Sequence, residues 1–562
     1  MQEPTTFSRT HDWLILGLFA LVIGLPGLTG LYSSAERLAV LDENREPAPW
    51  PSRPHDLATF ETWPTRFEDW LDDSFRGRRF LIRTHNRFYL EWLEAPPSHA
   101  CLLGRDGWIF TRDNRAVEKQ LGRIDAARFA VNEIKATLMN RRAWLAERGI
   151  GYFVVVGPDK HGIYPEKLPR GVEPAVGRRP MDLLMAALSG ETGPPVVIDL
   201  RERLRTVAKS SEVYFPLGTH WNDLGAWHAA RAMLELVKTT DDGVAVPELE
   251  DYDIRWVRGE GDSWGRQFHL RADMTQPLPV VAPRDGFRHR EVSHLVVGTK
   301  DLVTTRPEAI GPRVLLFHDS FGELPRRFMA DYLPTLISVW NLHFDDRLIE
   351  SLRPDVVIQL VVERNLDAGV FRGGGRLTKS GPAGSLDENS RRALVGRWTN
   401  PVLGHFDLSV TEDGSLSVTS DLGRWTLERQ STGVWQGGPG APEGVRFVHE
   451  RARGDNPAMM RVSEARAPLP TVWVRPPETK DPVLGPRTGR YDRGGELFYL
   501  QETESGLASF SADGQFLGLL SPIGDSTLVY DVRGRFETRV VFDGDDLFLE
   551  VGGGRIRAKR LR

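Results

Sequence analysis

The sequence predicts an α/β domain built on a parallel sheet with flanking helices, followed by an all-β region. Three observations predict it. Apolar, β-prone runs without polar alternation (Tyr152 to Val156, Val314 to Phe317, Val356 to Val362) are separated by helical stretches, the pattern of strands covered on both faces. Beyond about Arg376 the texture changes to Gly, Ser, Pro, Thr and Trp in short alternating runs, the pattern of antiparallel strands joined by turns. The length, 562 residues, suits two or three domains at roughly 100 to 200 residues each.

Along the chain, residues 1–12 form a short N-terminus, expected on the cytoplasmic side. Trp13 to Ala35 carries no charge and is long enough to cross roughly 30 Å of hydrocarbon, so residues 13–35 are expected to be a single-pass transmembrane anchor. Cleavage near Ser34-Ala35 is the alternative, but the apolar stretch exceeds the roughly 7 to 15 residues of a signal-peptide core. Residues 36–100 read as a lead-in: a Pro-rich juncture at Pro47 to Pro51, then a helical segment from Phe60 to Trp92. Residues 101–372 read as the α/β domain, with a strand at Trp108 to Phe110, a helix over 129–148 closed by Gly149 and Gly151, and further strands at Val196 to Ile198 and Leu336 to Val339. Helices fill 225–237 and 345–352. The glycine run Gly373 to Gly375 opens a linker over 373–390, after which 391–480 and 481–562 read as two β units, possible small barrels. Gly396-Arg397-Trp398 with Phe406 echoes Gly489-Arg490-Tyr491 with Phe498, a weak internal repeat. The tryptophans of the first unit (Trp398, Trp425, Trp435, Trp473) are read as core before sugar-stacking platforms.

Composition narrows the function. The 72 basic against 77 acidic residues, net −5, include no basic block, which argues against nucleic acid as a partner. Cys101, the one cysteine, lies in an apolar run and reads as a buried structural thiol. No His, Cys, Asp or Glu cluster has metal-ligand spacing, no phosphate loop is present, and no cofactor is implied.

The chemistry concentrates at Val314 to Gly322. A buried strand stops at His318-Asp319-Ser320-Phe321-Gly322 and a helical pattern follows, so Ser320 belongs on a strand-to-helix turn, where a rigid hydroxyl and free backbone N–H groups suit nucleophilic acyl transfer. A helix N-cap serine is the structural alternative. The nearest plausible base is His220, in the loop-like Tyr214 to Asp223 stretch ahead of the helix at 225. His318 is a weaker base candidate, since strand alternation points it to the face opposite Phe317. Gly261-Asp262-Ser263 spells an esterase-like triplet, but charged residues and a glycine precede it where a buried strand is needed, so Ser263 reads as a turn or cap residue.

Thr219-His220-Trp221 before a Gly225-Ala226 helix, followed a hundred residues later by Asp319-Ser320-Phe321, resembles the alginate O-acetyltransferase family, circularly permuted relatives of the SGNH (GDSL-like) esterases. Gly104 to Phe110, Pro158 to Glu166 and Glu363 to Leu366 extend the likeness over roughly residues 55 to 370. The resemblance implies an SGNH-hydrolase-like sheet at the periplasmic face of the inner membrane and an acetyl group passed through Ser320, with His220 as base, to an exported polysaccharide. It implies as partners a polysaccharide acceptor and a multi-pass membrane-bound O-acyltransferase that delivers the acetyl group. Lys160, Tyr164, Trp221 and Arg364 are candidate substrate-binding residues, against solvated, core or ion-pair roles.

One position departs from the family. The pattern is Asp-x-His, with the aspartate orienting the histidine, and here Gly218 replaces it. Asp223 or another carboxylate substitutes, or a Ser-His dyad operates, or the domain binds without turnover. The functions these readings allow are an O-acetyltransferase, a carbohydrate acetylesterase using the same residues, and an inactive polysaccharide-binding or scaffold protein.

Overall fold

A computed structural model describes residues 13–19 and, with interruptions, residues 50–561. The expected linker lies outside the described residues except for residue 377, as do residues 1–12 and most of the expected anchor; of the latter, residues 13–19 are helical. Among the described residues no helix is long and apolar enough to cross a membrane.

The expected helical lead-in is two helices, α1 (Leu57–Ser74) and α2 (Arg78–Glu91). Helix α2 docks on the α/β domain: Arg83 and Arg87 pair with Asp273 at 2.6 and 2.9 Å, and Asn86 donates to the carbonyl of Phe268 at 2.9 Å. A short hairpin, β1 (Cys101–Leu103) and β2 (Ile109–Thr111), opens the domain and buries Cys101, whose thiol burial pushes up to about 11.

The α/β domain centres on a seven-stranded sheet in the order β4-β3-β11-β9-β10-β8-β7, comprising β3 (Gly151–Gly157), β4 (Val197–Asp199), β7 (Arg290–Ser293), β8 (Leu302–Thr305), β9 (Arg313–His318), β10 (Thr335–Val339) and β11 (Val356–Val362). Strands β4, β3, β11, β9 and β10 are parallel. The sheet is mixed, however, because β8 and β7 add antiparallel at one edge. Those two strands escape a sequence reading because each is only four residues long and β7 (Arg-Glu-Val-Ser) lacks an apolar run. A separate antiparallel ribbon, β5 (Tyr252–Glu260) with β6 (Thr275–Pro283), stands apart from this sheet.

Alternation along the central strands builds two cores. Val314, Leu316, Ile358 and Leu360 face α8 (Asp223–Lys238) and α10 (Glu323–Ala330), whereas Leu315, Phe317, Val357 and Val361 face α4 (Val131–Ala146), α6 (Pro180–Leu188) and α11 (Asp346–Leu352). Three shorter helices, α3 (Ala116–Gln120), α5 (Lys160–Ile163) and α7 (Arg201–Ala208), complete this part of the domain, with α9 (Ser263–Gln267) between β5 and β6.

Residues Gly396–Val474 and Gly489–Leu561 each form a closed eight-stranded antiparallel barrel, β12 to β19 and β20 to β27. Closure leaves no free sheet edge. The weak repeat reappears in the registers, since Trp398 faces Phe406 and Tyr491 faces Phe498 across the first hairpin of each barrel. Trp398, Trp425 and Trp435 are buried in the first barrel's core and Trp473 packs against it, the core reading of those rings. That barrel docks on α11, where buried Glu350 pairs with Arg148 at 2.7 Å and with Arg446, and Arg353 reaches the carbonyl of Gly444 at 3.0 Å.

Candidate functional site

At the C-terminal ends of the parallel strands, β9 ends in His318 and a one-turn 3-10 helix, Ser320–Gly322, leads into α10. Asp319 sets this turn: its buried carboxylate accepts from the backbone N–H groups of Phe321 (2.9 Å) and Val362 (3.0 Å) and from Asn365 Nδ2 (3.2 Å). Burial raises its pKa while those donors oppose the rise. Gly322 is fixed by packing, because a Cβ there would fall 2.2 Å from the His318 ring. Ser320 is left half-buried.

His220 comes from a tight loop between Val213 and Asn222. Phe215 N–H donates to the carbonyl of His220 (3.1 Å), Asn222 N–H to that of Val213 (3.1 Å), and Asn222 Oδ1 caps α8 through the N–H groups of Leu224 and Gly225. The loop and the serine turn meet directly. Ser320 Oγ lies 2.8 Å from His220 Nε2, and next door Trp221 Nε1 donates to the carbonyl of Phe321 at 3.1 Å. The imidazole also packs on Phe321, ring centroids 5.0 Å apart. A base that accepts the serine proton at Nε2 carries its own proton on Nδ1, and the Thr219 hydroxyl receives it at 3.0 Å.

The remaining sequence candidates occupy other roles. Asp223 does not reach His220: its carboxylate pairs with Arg327 at 2.5 Å and accepts from Val281 N–H at 3.2 Å, because its place in the first turn of α8 points it along the helix start toward β6 and α10. Lys160, expected at the substrate, is buried, and the N–H groups of its Nζ are shared among the carbonyls of Ile109 (2.6 Å), Phe215 (3.0 Å), Pro216 (2.9 Å) and Gly218 (2.7 Å). Burial draws its pKa well down, opposed by Asp262 and Glu212. Tyr164 is also buried, and its hydroxyl accepts from Val213 N–H at 2.8 Å. Trp221 is buried and joins the histidine loop to the serine turn. Arg364 is buried, pairs with Asp159 at 2.5 Å and lies over the Phe321 ring, 5.3 Å from its centroid. All four side chains are buried and bonded into the framework around the Ser320–His220 pair. Apolar and aromatic neighbours attract long polar side chains inward only where carbonyls or acids satisfy them, a condition that chain order alone does not reveal.

His318 is buried as well, its Nδ1 on the Asp319 carbonyl (2.7 Å) and its Nε2 on Ser338 Oγ (2.6 Å), away from Ser320. Ser263 begins α9, a helix-start residue as its surroundings suggest. Among the described residues no group of His, Cys, Asp and Glu has the makings of a metal site.

Beneath the site Glu363 is fully enclosed, and burial together with nearby Asp159 pushes its pKa to about 7. The unfolded carboxyl ionises near 4.5, so between those pH values the folded chain retains a proton that the unfolded chain has lost. Its contribution to stability therefore falls as pH rises from about 4.5 to about 7 and stays flat above, a change of roughly 3 kcal/mol. Glu363→Gln is expected to remove that slope and to raise the melting temperature at pH 8. Urea melts of both proteins across this range check it, and parallel pH profiles would contradict it.

Residues 101–330, less than half of the chain, match the family model described as the SGNH hydrolase-like domain of the acetyltransferase AlgX. Three solved structures are similar to parts of the chain. Bacillus cereus PatB1 with a sulfonyl adduct is 15% identical, covering 48% of this chain and 99% of that one, TM-score 0.36. The O-acetyltransferase domain of Pseudomonas putida AlgJ is 17% identical, with 48% and 92% covered and TM-score 0.32. Pseudomonas aeruginosa AlgX is 16% identical, with 62% and 87% covered and TM-score 0.30. No curated protein sequence matches the chain.

Proposed function

We propose that this chain, which carries an SGNH hydrolase-like domain of the AlgX acetyltransferase family over residues 101–330, transfers acetyl groups to hydroxyls of an exported polysaccharide through an ester on Ser320. The observation that carries the reading is the 2.8 Å contact between Ser320 Oγ and His220 Nε2 at the end of a buried strand. Ser320 Oγ attacks the acetyl carbonyl of the donor while His220 takes its proton. In this reading the N–H of Ser320, which begins the 3-10 turn, stabilises the oxygen that gains negative charge. Collapse releases the leaving group, which takes the proton from His220, and the acetyl remains on Ser320. A sugar hydroxyl then yields its proton to His220 and attacks the ester, the acetylated sugar leaves, and His220 returns the proton to Ser320 Oγ.

The donor in this reading is a multi-pass membrane-bound O-acyltransferase, and the apolar stretch at residues 13–35 anchors the chain to the inner membrane with its bulk in the periplasm. Incubation of the full chain in detergent with an aryl acetate and neutral or uronate-containing oligosaccharides tests the chemistry. Acetylated oligosaccharide is expected by mass spectrometry. Free acetate with no acetylated sugar replaces the transferase by an esterase, and sugar binding without any Ser320-dependent chemistry replaces it by a scaffold.

A further inference from the structure

Gly218 stands where the Asp-x-His pattern has its orienting acid, yet the space a side chain would use there is not empty. A Cβ built on buried Gly218 would fall 2.2 Å from Oδ2 of Asp262 and 2.9 Å from its Cγ. A carboxyl oxygen of Asp262 thus occupies space that a side chain at 218 would need, and it arrives from the turn between β5 and α9. Position 218 must lack a side chain for Asp262 to occupy that space.

The second observation is how Asp262 is used. It is the N-cap of α9, a position where aspartate ordinarily accepts from its own helix, and here its side chain makes no such bond. Ser263 Oγ instead donates to Asp262 Oδ2 at 2.7 Å and lies 3.3 Å from the N–H of Thr219, the residue whose hydroxyl meets His220 Nδ1. Trp264 N–H donates to the carbonyl of Leu217 at 3.2 Å, so the turn is stitched to the histidine loop, and Gln276 Oε1 of β6 accepts from Leu217 N–H at 2.8 Å.

We infer that Asp262 is the positioning acid of this site: from the 261–264 turn it supplies, through Thr219 and Ser263, the negative charge that holds His220 and stabilises its imidazolium, in place of a side chain at 218. The inference rests on the acyl-transfer reading above. Four further charged groups pack nearby. Lys160 of α5 holds the carbonyls of the loop and faces the Asp262 carboxylate, Asp223 of α8 pairs with Arg327 of α10, Asp319 accepts from Val362 N–H, and Arg364 lies over the Phe321 ring.

The test is an exchange of position. Asp262→Asn, which keeps an acceptor for Ser263, is expected to lower kcat roughly 10- to 100-fold on an aryl acetate with little change in KM. The acid limb of its pH profile moves to lower pH, because an imidazole without a nearby carboxylate loses its proton more readily. Asp262→Gly is expected to fall at least as far, and Gly218→Asp alone to lose activity through the clash. The double variant Gly218→Asp with Asp262→Gly is expected to recover at least tenfold over Asp262→Gly.

An NMR titration of the His220 imidazole in wild type and Asp262→Asn reads the same charge without turnover. A lower His220 pKa in the variant is expected. An unchanged pKa, or a double variant no better than Asp262→Gly, overturns the inference. If Ser320→Ala hydrolyses the ester as fast as wild type, the acyl-transfer reading fails, and the titration still decides the place of Asp262.

Discussion

Ser320→Ala is expected to reduce aryl acetate turnover by roughly 10⁴- to 10⁶-fold while the fold is retained, and His220→Gln by a comparable factor, with the double variant scarcely worse than either. The size follows from the geometry. The only described contact between the two side chains is the 2.8 Å bond through which the serine proton leaves in the proposed reaction, so that reaction needs both. Ser320 sits on a turn whose backbone is held by Asp319 and Gly322, and its hydroxyl contributes nothing to that scaffold beyond the bond to His220. Melting temperatures within a degree or two of wild type, with rates lost together, are the expected pair of measurements. Independent losses that multiply in the double variant would mean that the two residues act in separate steps.

Lys160→Met carries the second large effect, on stability and rate together. The four carbonyls that surround the ammonium belong to β2 and to the loop that ends in His220, and burial denies water to those of Ile109 and Gly218. An isosteric apolar side chain leaves all four without that donor, at a cost of roughly 3 to 5 kcal/mol. Residues 215 to 218 would then relax, and a shift of about 1 Å at His220 suffices for roughly 100-fold in rate. Lys160→Arg does not repair the site, because a planar fork cannot serve four oxygens arranged around a point. Urea unfolding and kcat measured on the same preparations check this. A stable Lys160→Met protein with a raised KM and an unchanged kcat would return Lys160 to the substrate.

The parts of this molecule that announce themselves in the sequence are those with a local physical cause. Strands β3, β9 and β11 are apolar on both faces because helices cover both faces, and the abrupt change at Asp319 marks the end of β9 within a residue. The change of texture after the glycine run announces the all-β region, although closure into two barrels depends on pairings between strands far apart in the chain. Ser320 and His220 are legible for the same reason, each lying just before a helix at the end of a well-defined segment.

The rest depends on long-range packing. Strands β7 and β8 are too short and too polar to stand out, and their place at the sheet edge is decided by the neighbour β10. Lys160, Tyr164 and Arg364 read by residue type as substrate groups or as a solvated lysine, a core-edge tyrosine and an ion-paired arginine, and only the fold shows the buried carbonyls, buried N–H and Asp159 that they meet. Asp223 is the nearest acid to His220 in the chain and points elsewhere, whereas Asp262, forty-two residues farther on, lies against the Gly218 backbone. The missing side chain at 218 was the available signal. A glycine in place of a needed acid directs attention to any carboxylate that the fold can bring into the vacated space.

The most direct measurement is the site of covalent acetylation. The full chain is mixed with an aryl acetate, quenched in acid within the first turnovers and analysed by intact mass and peptide mapping. One added acetyl group on the peptide containing Ser320, absent from Ser320→Ala and discharged by an acceptor hydroxyl, is the predicted result. An acetyl group that persists in Ser320→Ala, or turnover without any acetyl on Ser320, would contradict the account.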